Sequence, residues 1–179
     1  HGIFHSASIP DLVDSIPNKV FKVADSQVAT RWGNICDFKS FDLILPNEKE
    51  ARFSMADQDS SISNLSARLL EQTECQNLIL KVGPRGIFSV SNDPKDLKNS
   101  GSYSFTLPSF VNNVVDAVGT GDALMAYATL SMLANNSLPL ASIIGSAAAA
   151  CQCEREGNSA VTINQLLEKI DSLEKSTKY

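Results

Sequence analysis

The stretch "FDLILPNEKEARFSMADQDSSISNLSARLLEQTECQNLILKVG", residues 41–83, decides the fold class. "FDLILP", 41–46, is a short apolar run stopped by a proline, and reads as a buried strand. "NEKEARF" then starts a helical turn. "SSISNLSARLLEQ", 60–72, reads as an amphipathic helix with Ile62, Leu65, Leu69 and Leu70 inward. "NLILKVG", 77–83, is a second buried strand. Strands alternating with helices in this way predict an α/β fold with a largely parallel sheet.

The flanks extend the pattern. Upstream, "SASIPDLVDSI", 6–16, reads as a short helix with Pro10 in its first turn and Ile9, Leu12, Val13 and Ile16 on one face. "KVFKVAD", 19–25, alternates and reads as a strand. Downstream, the Gly83-Pro84-Arg85-Gly86 turn leads into "IFSVS", 87–91, a hairpin. "DPKDLKNSGS", 93–102, is a polar loop, and "YSFTLP", 103–108, alternates again. Helical patterns cover 122–134, 139–153 and 162–170. In the first, Ala123, Ala126, Tyr127, Leu130 and Leu133 recur at helical spacing; Thr162 suits the N-cap of the last. Parallel sheets bind ligands outside the carboxyl ends of their strands. The loops after "FDLIL", after "LILKV" and before residue 122 are therefore expected to gather at one edge.

Composition narrows the function classes. An apolar share of 43% over 179 residues supports one domain with a real core. The net charge of −5 and the lack of a basic stripe argue against a nucleic-acid surface. The longest apolar run, Leu138 to Cys151, is broken by serines and a glycine and is too short for a bilayer. The opening residues do not read as a secretory signal. Cys36, Cys75, Cys151 and Cys153 fit no common zinc spacing and read as reduced packing residues, which favours the cytoplasm. His1 and His5 are too isolated for a metal or triad cluster.

"DAVGTGDALMAYATLSML", residues 116–133, carries the chemistry. A helix start presents unpaired N–H groups and the positive end of a dipole. Gly119 and Gly121 leave that end clear of side chains, and Asp122 stands beside the place an anion would take. A carboxylate there suits a base that accepts a proton from an attacking hydroxyl. The plain alternative makes Asp122 an N-cap and the glycines a tight turn. The chain has no G-x-x-x-x-G-K-[ST], which excludes a P-loop. A dinucleotide fingerprint fails too, because Leu124 stands where its third glycine belongs.

"DAVGTGDAL" resembles the signature of the ribokinase-like (PfkB) carbohydrate kinases, D-T-x-G-A-G-D: Asp116, Gly119, Gly121 and Asp122 match, while Ala117 and Thr120 depart from it. "LPNEKEARF" resembles the family's N-x-x-E element through Asn47 and Glu50, "LILKVGPRGIFSV" its strand, glycine turn and strand, and "AAAACQCEREGNSAVT" the stretch beside the adenine. The resemblance covers about residues 20–170, in the family's order. It implies a three-layer ribokinase-like fold. "ADSQVATRWGN" with "PNEKEAR" is most similar to the branch acting on heptose phosphates and related sugars, through Gln27, Arg31 and Trp32; such kinases occur fused to, or paired with, a nucleotidyltransferase. Trp32 also suits a core position.

The resemblance implies ATP-dependent phosphoryl transfer to a sugar or sugar-phosphate hydroxyl, a reaction that needs positioning and charge neutralisation. Asp122 would be the base, and the backbone of Gly119, Thr120, Gly121 and Asp122 the anion hole. Asn47 and Glu50 would hold Mg²⁺ through waters; their alternatives are an N-cap and an exposed helix charge. Lys81, where the family often has a small hydroxyl residue, Gly83, Arg85 and Gly86 are candidates on the nucleotide phosphates; Lys81 reads equally as an exposed strand-end lysine. Ser146, Ala149 and Asn158 are adenine-side candidates, and Asp116 a candidate for a monovalent cation such as K⁺. The family's sugar half carries an early glycine pair and a β lid. This sequence has no Gly-Gly and opens on His1, so it is expected to be a carboxy-terminal, nucleotide-binding segment. A homodimer is a further expectation. Two rival readings are a non-catalytic nucleotide-binding module and a structural domain of a bifunctional nucleotide-sugar enzyme; a retained Asp122 favours the kinase.

Overall fold

The structure, a computed structural model, describes residues 6–26, 34–92 and 103–177. These fall into two compact units: the described residues up to Gly83 with Ile87–Thr106, and Pro84–Gly86 with the described residues from Leu107 on.

The first unit begins with a single 3-10 turn and α1 (Ile9–Ser15), with Pro10 in the first turn as expected. β1 is Val23–Ala24 and β2 is Leu43–Ile44. The alternation over 19–25 yields only this short strand, because residues 17–20 close a turn in which the Val20 N–H bonds to the Pro17 carbonyl at 2.9 Å. α2 (Glu48–Met55), α3 (Ile62–Thr73) and β3 (Asn77–Lys81) follow. β4 (Ile87–Ser91) returns beside β3 as the expected hairpin, and β5 (Tyr103–Leu107) completes a sheet in the order β1-β2-β3-β4-β5.

β1, β2 and β3 are parallel, in the registers Val23 with Leu43 and Leu43 with Asn77; β4 is antiparallel to β3. Leu43, Ile44, Leu45, Leu78, Ile79 and Leu80 are fully buried on successive positions, the pattern of strands covered on both faces. Leu65, Leu69 and Leu70 of α3 join Ile44, Leu78 and Leu80 in one core cluster. Burying each such side chain stabilises the fold by about 1.5–3 kcal/mol. Cys36 and Cys75 pack in the same cluster; all four cysteines are free and buried.

The second unit holds α4 (Thr120–Asn135), α5 (Leu138–Cys153) and α6 (Ile163–Thr177). α4 and α5 touch closely: a β-carbon on Gly145 would lie 2.9 Å from the Leu124 carbonyl oxygen and 3.1 Å from the Ala128 β-carbon. The buried stripe of α4 is Leu124, Ala128, Ser131 and Met132, whereas Leu130 and Leu133, on the stripe picked from periodicity, are exposed. Nearly every residue of this helix is apolar or small, so its period carries little direction. Thr162 caps α6 as expected, with reciprocal bonds between Thr162 and Gln165. The helix runs on to Thr177, and Leu166, Ile170 and Leu173 hold it to a cluster with Ala147 and Ala148. Among the described residues no helix is long and apolar enough to cross a membrane.

Candidate active site

The carboxyl ends of the parallel strands carry one group of candidates. After β2, Asn47 pairs with Lys81 across a parallel bridge, and the Lys81 N–H bonds to the Pro46 carbonyl at 3.0 Å. The Lys81 side chain is not an exposed strand end. Its Nζ lies 2.5 Å from Asp25 Oδ2, and both side chains are four-fifths buried. Asp25, directly after β1, was not singled out in the sequence. Its place at the strand's carboxyl edge was the available signal, and its other oxygen accepts the Ser26 N–H at 2.9 Å.

Asn47 and Glu50 form a capping box at the start of α2. Asn47 Oδ1 accepts the Glu50 N–H at 2.9 Å, and the Asn47 N–H donates to Glu50 Oε2 at 2.7 Å. Asn47 is thus the helix N-cap, the alternative its position after Pro46 allowed. Glu50 is buried, not an exposed helix charge. Among the described residues no group of three or more His, Cys, Asp or Glu could hold a metal directly. One buried carboxylate beside an amide fits Mg²⁺ that keeps most of its water shell, the ordinary state of that ion at phosphate sites.

The second unit holds the glycine turn. Gly119 is the N-cap of α4, at φ 80° and ψ −5°, in the left-handed region. No side chain caps this helix, so Asp122 is not the N-cap. It is the third helical residue, exposed in the first turn. The Ala123 N–H bonds back to the Gly119 carbonyl at 2.9 Å, and the Thr120 N–H reaches Ala117 at 3.3 Å. Among the described residues the N–H groups of Gly121 and Asp122 find no such partner, as is usual at a helix start. Thr120 Oγ1 is buried without a hydrogen bond.

The turn is braced from below. Asp116 accepts the Val118 N–H at 2.9 Å and the Gly157 N–H at 3.3 Å. Gln152 of α5 donates from Nε2 to the carbonyls of Val118, at 3.2 Å, and Gly157, at 2.7 Å. Gln152 was missed in the sequence, though a lone amide among "AAAACQC" had to find partners if buried. The Asn158 side chain lies against Gly119. Of the three adenine-side candidates, only Asn158 is brought to the turn and exposed; Ser146 and Ala149 are buried on α5, and Ser146 Oγ has no hydrogen bond.

In the hairpin connection Gly83 and Gly86 have φ of 63° and 92°. A β-carbon on Gly86 would come within 2.1 Å of the Leu107 carbonyl oxygen, so this turn requires glycine. Arg85 between them is exposed. Gln27, Arg31, Trp32, His1 and His5 lie outside the described residues.

A mixed, mostly parallel sheet with an uncapped glycine turn opening a helix defines a ribokinase-like α/β protein. The pfkB family carbohydrate kinase description matches residues 16–165, and the chain belongs to that family. Its fold is similar to ribokinase from Thermotoga maritima, at 21% identity and TM-score 0.72 over 90% of this chain and 52% of that one. It is likewise similar to phosphofructokinase-2 from Escherichia coli in complex with potassium, at 16% identity and TM-score 0.76 over 96% of this chain and 53% of that one. A nucleoside kinase from Methanocaldococcus jannaschii matches at 20% identity and TM-score 0.56, over 74% of this chain and 40% of that one. The chain thus spans about half the length of these solved structures. No curated protein matches the sequence significantly.

Proposed function

We propose that this chain supplies the nucleotide-binding and base-carrying part of an ATP-dependent kinase, which phosphorylates a hydroxyl of a sugar or sugar phosphate. The observation that carries the reading is the start of α4. Among the described residues its N–H groups at Gly121 and Asp122 have no backbone partner and no side chain caps it, and an exposed carboxylate sits on its first turn. An uncapped helix end attracts an anion. An acid kept in that place weakens anion binding, a cost that a second role would offset, and taking the proton of the attacking hydroxyl is the role phosphoryl transfer asks for.

In this reading the backbone of 119–122 holds the transferred phosphoryl group. Asn47 and Glu50 would hold Mg²⁺ through waters, and the ion would supply positive charge against the phosphates. Gly83, Arg85 and Gly86 present backbone and a guanidinium to the nucleotide phosphates. Lys81 contributes through its ion pair with Asp25, which fixes the carboxyl edge of β1 and β3. Asn158 borders the turn, and Ser146 and Ala149 enter as adenine-side residues through the family resemblance alone. The heptose-phosphate branch, through Gln27, Arg31 and Trp32, gives the finer substrate class, and pairing with a nucleotidyltransferase follows from the same likeness; a homodimer is a separate part of the proposal. A cytoplasmic setting agrees with four free, buried cysteines.

The test is phosphoryl transfer from ATP to a panel of sugars and sugar phosphates by the natural full-length protein, with nucleotide binding by this chain followed by calorimetry and melting. Mg²⁺-ATP is expected to raise the melting temperature of the folded chain. Absence of both binding heat and a melting shift would remove the nucleotide site and favour a structural domain.

A further inference from the structure

We infer that Gln152 is a positioning residue that takes the place of a monovalent cation beneath the phosphate-binding turn, so that this protein needs no K⁺ there. The inference rests on the phosphoryl-transfer reading above for its functional meaning, and on the hydrogen bonds around Gln152 for its content.

Two chain segments must be held together for the turn to keep its shape: the loop of Asp116–Val118, which runs into Gly119, and the loop at Gly157, which carries Asn158 against Gly119. Each segment offers one N–H and one carbonyl to the gap between them. The Asp116 carboxylate accepts both N–H groups, from Val118 at 2.9 Å and Gly157 at 3.3 Å. The Gln152 amide nitrogen donates to both carbonyls, at 3.2 and 2.7 Å. The two carbonyls that face each other across the gap, those of Val118 and Gly157, therefore already share one protein donor. A nitrogen within hydrogen-bond distance of two carbonyl oxygens stands where an ion bridging the same two oxygens would stand, and the two cannot share the position.

Burial makes the arrangement specific. Gln152 is 1% exposed, on a helix whose neighbouring residues Ala148, Ala149, Ala150, Cys151 and Cys153 are all buried. An amide in such surroundings is costly unless hydrogen-bonded, and its two protons meet two carbonyls. Charge agrees as well. The Asp116 carboxylate is compensated by two backbone N–H groups and does not require a full positive charge beside it. Asp116, the candidate for a cation site, is thus one half of a brace whose other half is an uncharged side chain.

The experiment compares melting of the nucleotide-free chain, and its Mg²⁺-ATP affinity, in K⁺, Na⁺ and tetramethylammonium at equal ionic strength. The unmodified chain is expected to show the same melting temperature and affinity in all three. A K⁺-specific rise in melting temperature of the nucleotide-free chain overturns the inference, whatever the outcome with nucleotide. Gln152→Ala opens the gap and leaves two carbonyls and the Asp116 carboxylate facing it. This variant should lose about tenfold in nucleotide affinity in tetramethylammonium and recover in K⁺, as a turn held by two hydrogen bonds would. Gln152→Glu adds an acceptor and should be more cation-dependent still. A merely structural glutamine predicts losses that are the same in every cation, and that result rejects the positioning role. If the unmodified chain binds no nucleotide at all, the phosphoryl-transfer reading fails, while the cation comparison of melting still decides the brace.

Discussion

Asn158 leaves no room for a side chain at Gly119: a β-carbon built there would lie 2.2 Å from Asn158 Oδ1 and 2.8 Å from its Cγ. The glycine is demanded twice, by this contact and by its φ of 80°. Gly119→Ala should therefore lower stability by about 1–2 kcal/mol from the backbone conformation alone, and by more from the clash. Asn158→Ala removes the clash and not the strain. In the double variant part of the loss should return, and a cycle of melting measurements would give a coupling above about 0.5 kcal/mol. Strict additivity would mean that the two residues do not meet.

Glu50 separates capping from metal. Glu50→Gln keeps a side chain that can close the capping box, so melting should change little. Glu50→Ala breaks it and should cost about 1 kcal/mol. If Glu50 also orients the waters of Mg²⁺, the Gln variant should already shift the Mg²⁺ dependence of turnover in the full-length protein to higher concentration, although its melting is unchanged. An unchanged Mg²⁺ titration would leave Glu50 a capping residue only.

The parts of the fold read correctly were those where one physical demand dominates. "FDLIL" and "NLILK" are apolar at every position because both faces of a central parallel strand are covered, and both became β2 and β3. Thr162 could be read as a cap because its partner Gln165 lies three residues on. What escaped depended on partners far along the chain. Lys81 and Asp25 are 56 residues apart, and nothing local to either announces the pair. The face of α4 escaped for the opposite reason: a helix apolar all round has no preferred direction, and the close approach of Gly145 to Ala128 chose it. At the candidate site, glycines and acids were legible as residue types, whereas the Gln152 brace needed three segments placed at once.

Asp57 supplies an acid-sensitive contact in the first unit. It accepts the Ser60 N–H at 3.0 Å and pairs with Arg68. The hydrogen bonds from Ser60, with the Arg68 charge adding to them, hold its carboxyl below the ordinary aspartate range. A group depressed in the folded state gives stability that is full above its unfolded value and is lost as pH falls towards its folded one. Melting temperature should therefore fall as pH drops below about 4, and Asp57→Asn should make that fall shallower. Parallel pH profiles for the two proteins would show that Asp57 contributes nothing to acid sensitivity.

Asp122 decides whether this is a kinase in more than fold. Because Gly119 is the N-cap, Asp122 supports the helix only through its charge near the positive end. Asp122→Ala should therefore cost about 0.3–1 kcal/mol of stability, and Asp122→Asn a similar or smaller amount. Neither change removes a hydrogen bond from the cap. Affinity for Mg²⁺-ATP should hold or rise slightly in both variants, since a negative charge leaves the anion site. Turnover in the full-length enzyme should nevertheless fall by about 10²-fold or more, the usual loss when a positioned general base goes. The pattern of unchanged fold, retained nucleotide and lost rate belongs to a base and to no structural role of an exposed first-turn acid. An Asn variant that turns over at the unmodified rate would leave the open helix end as an anion site without a base, and the chain as a nucleotide-binding module built on a kinase fold.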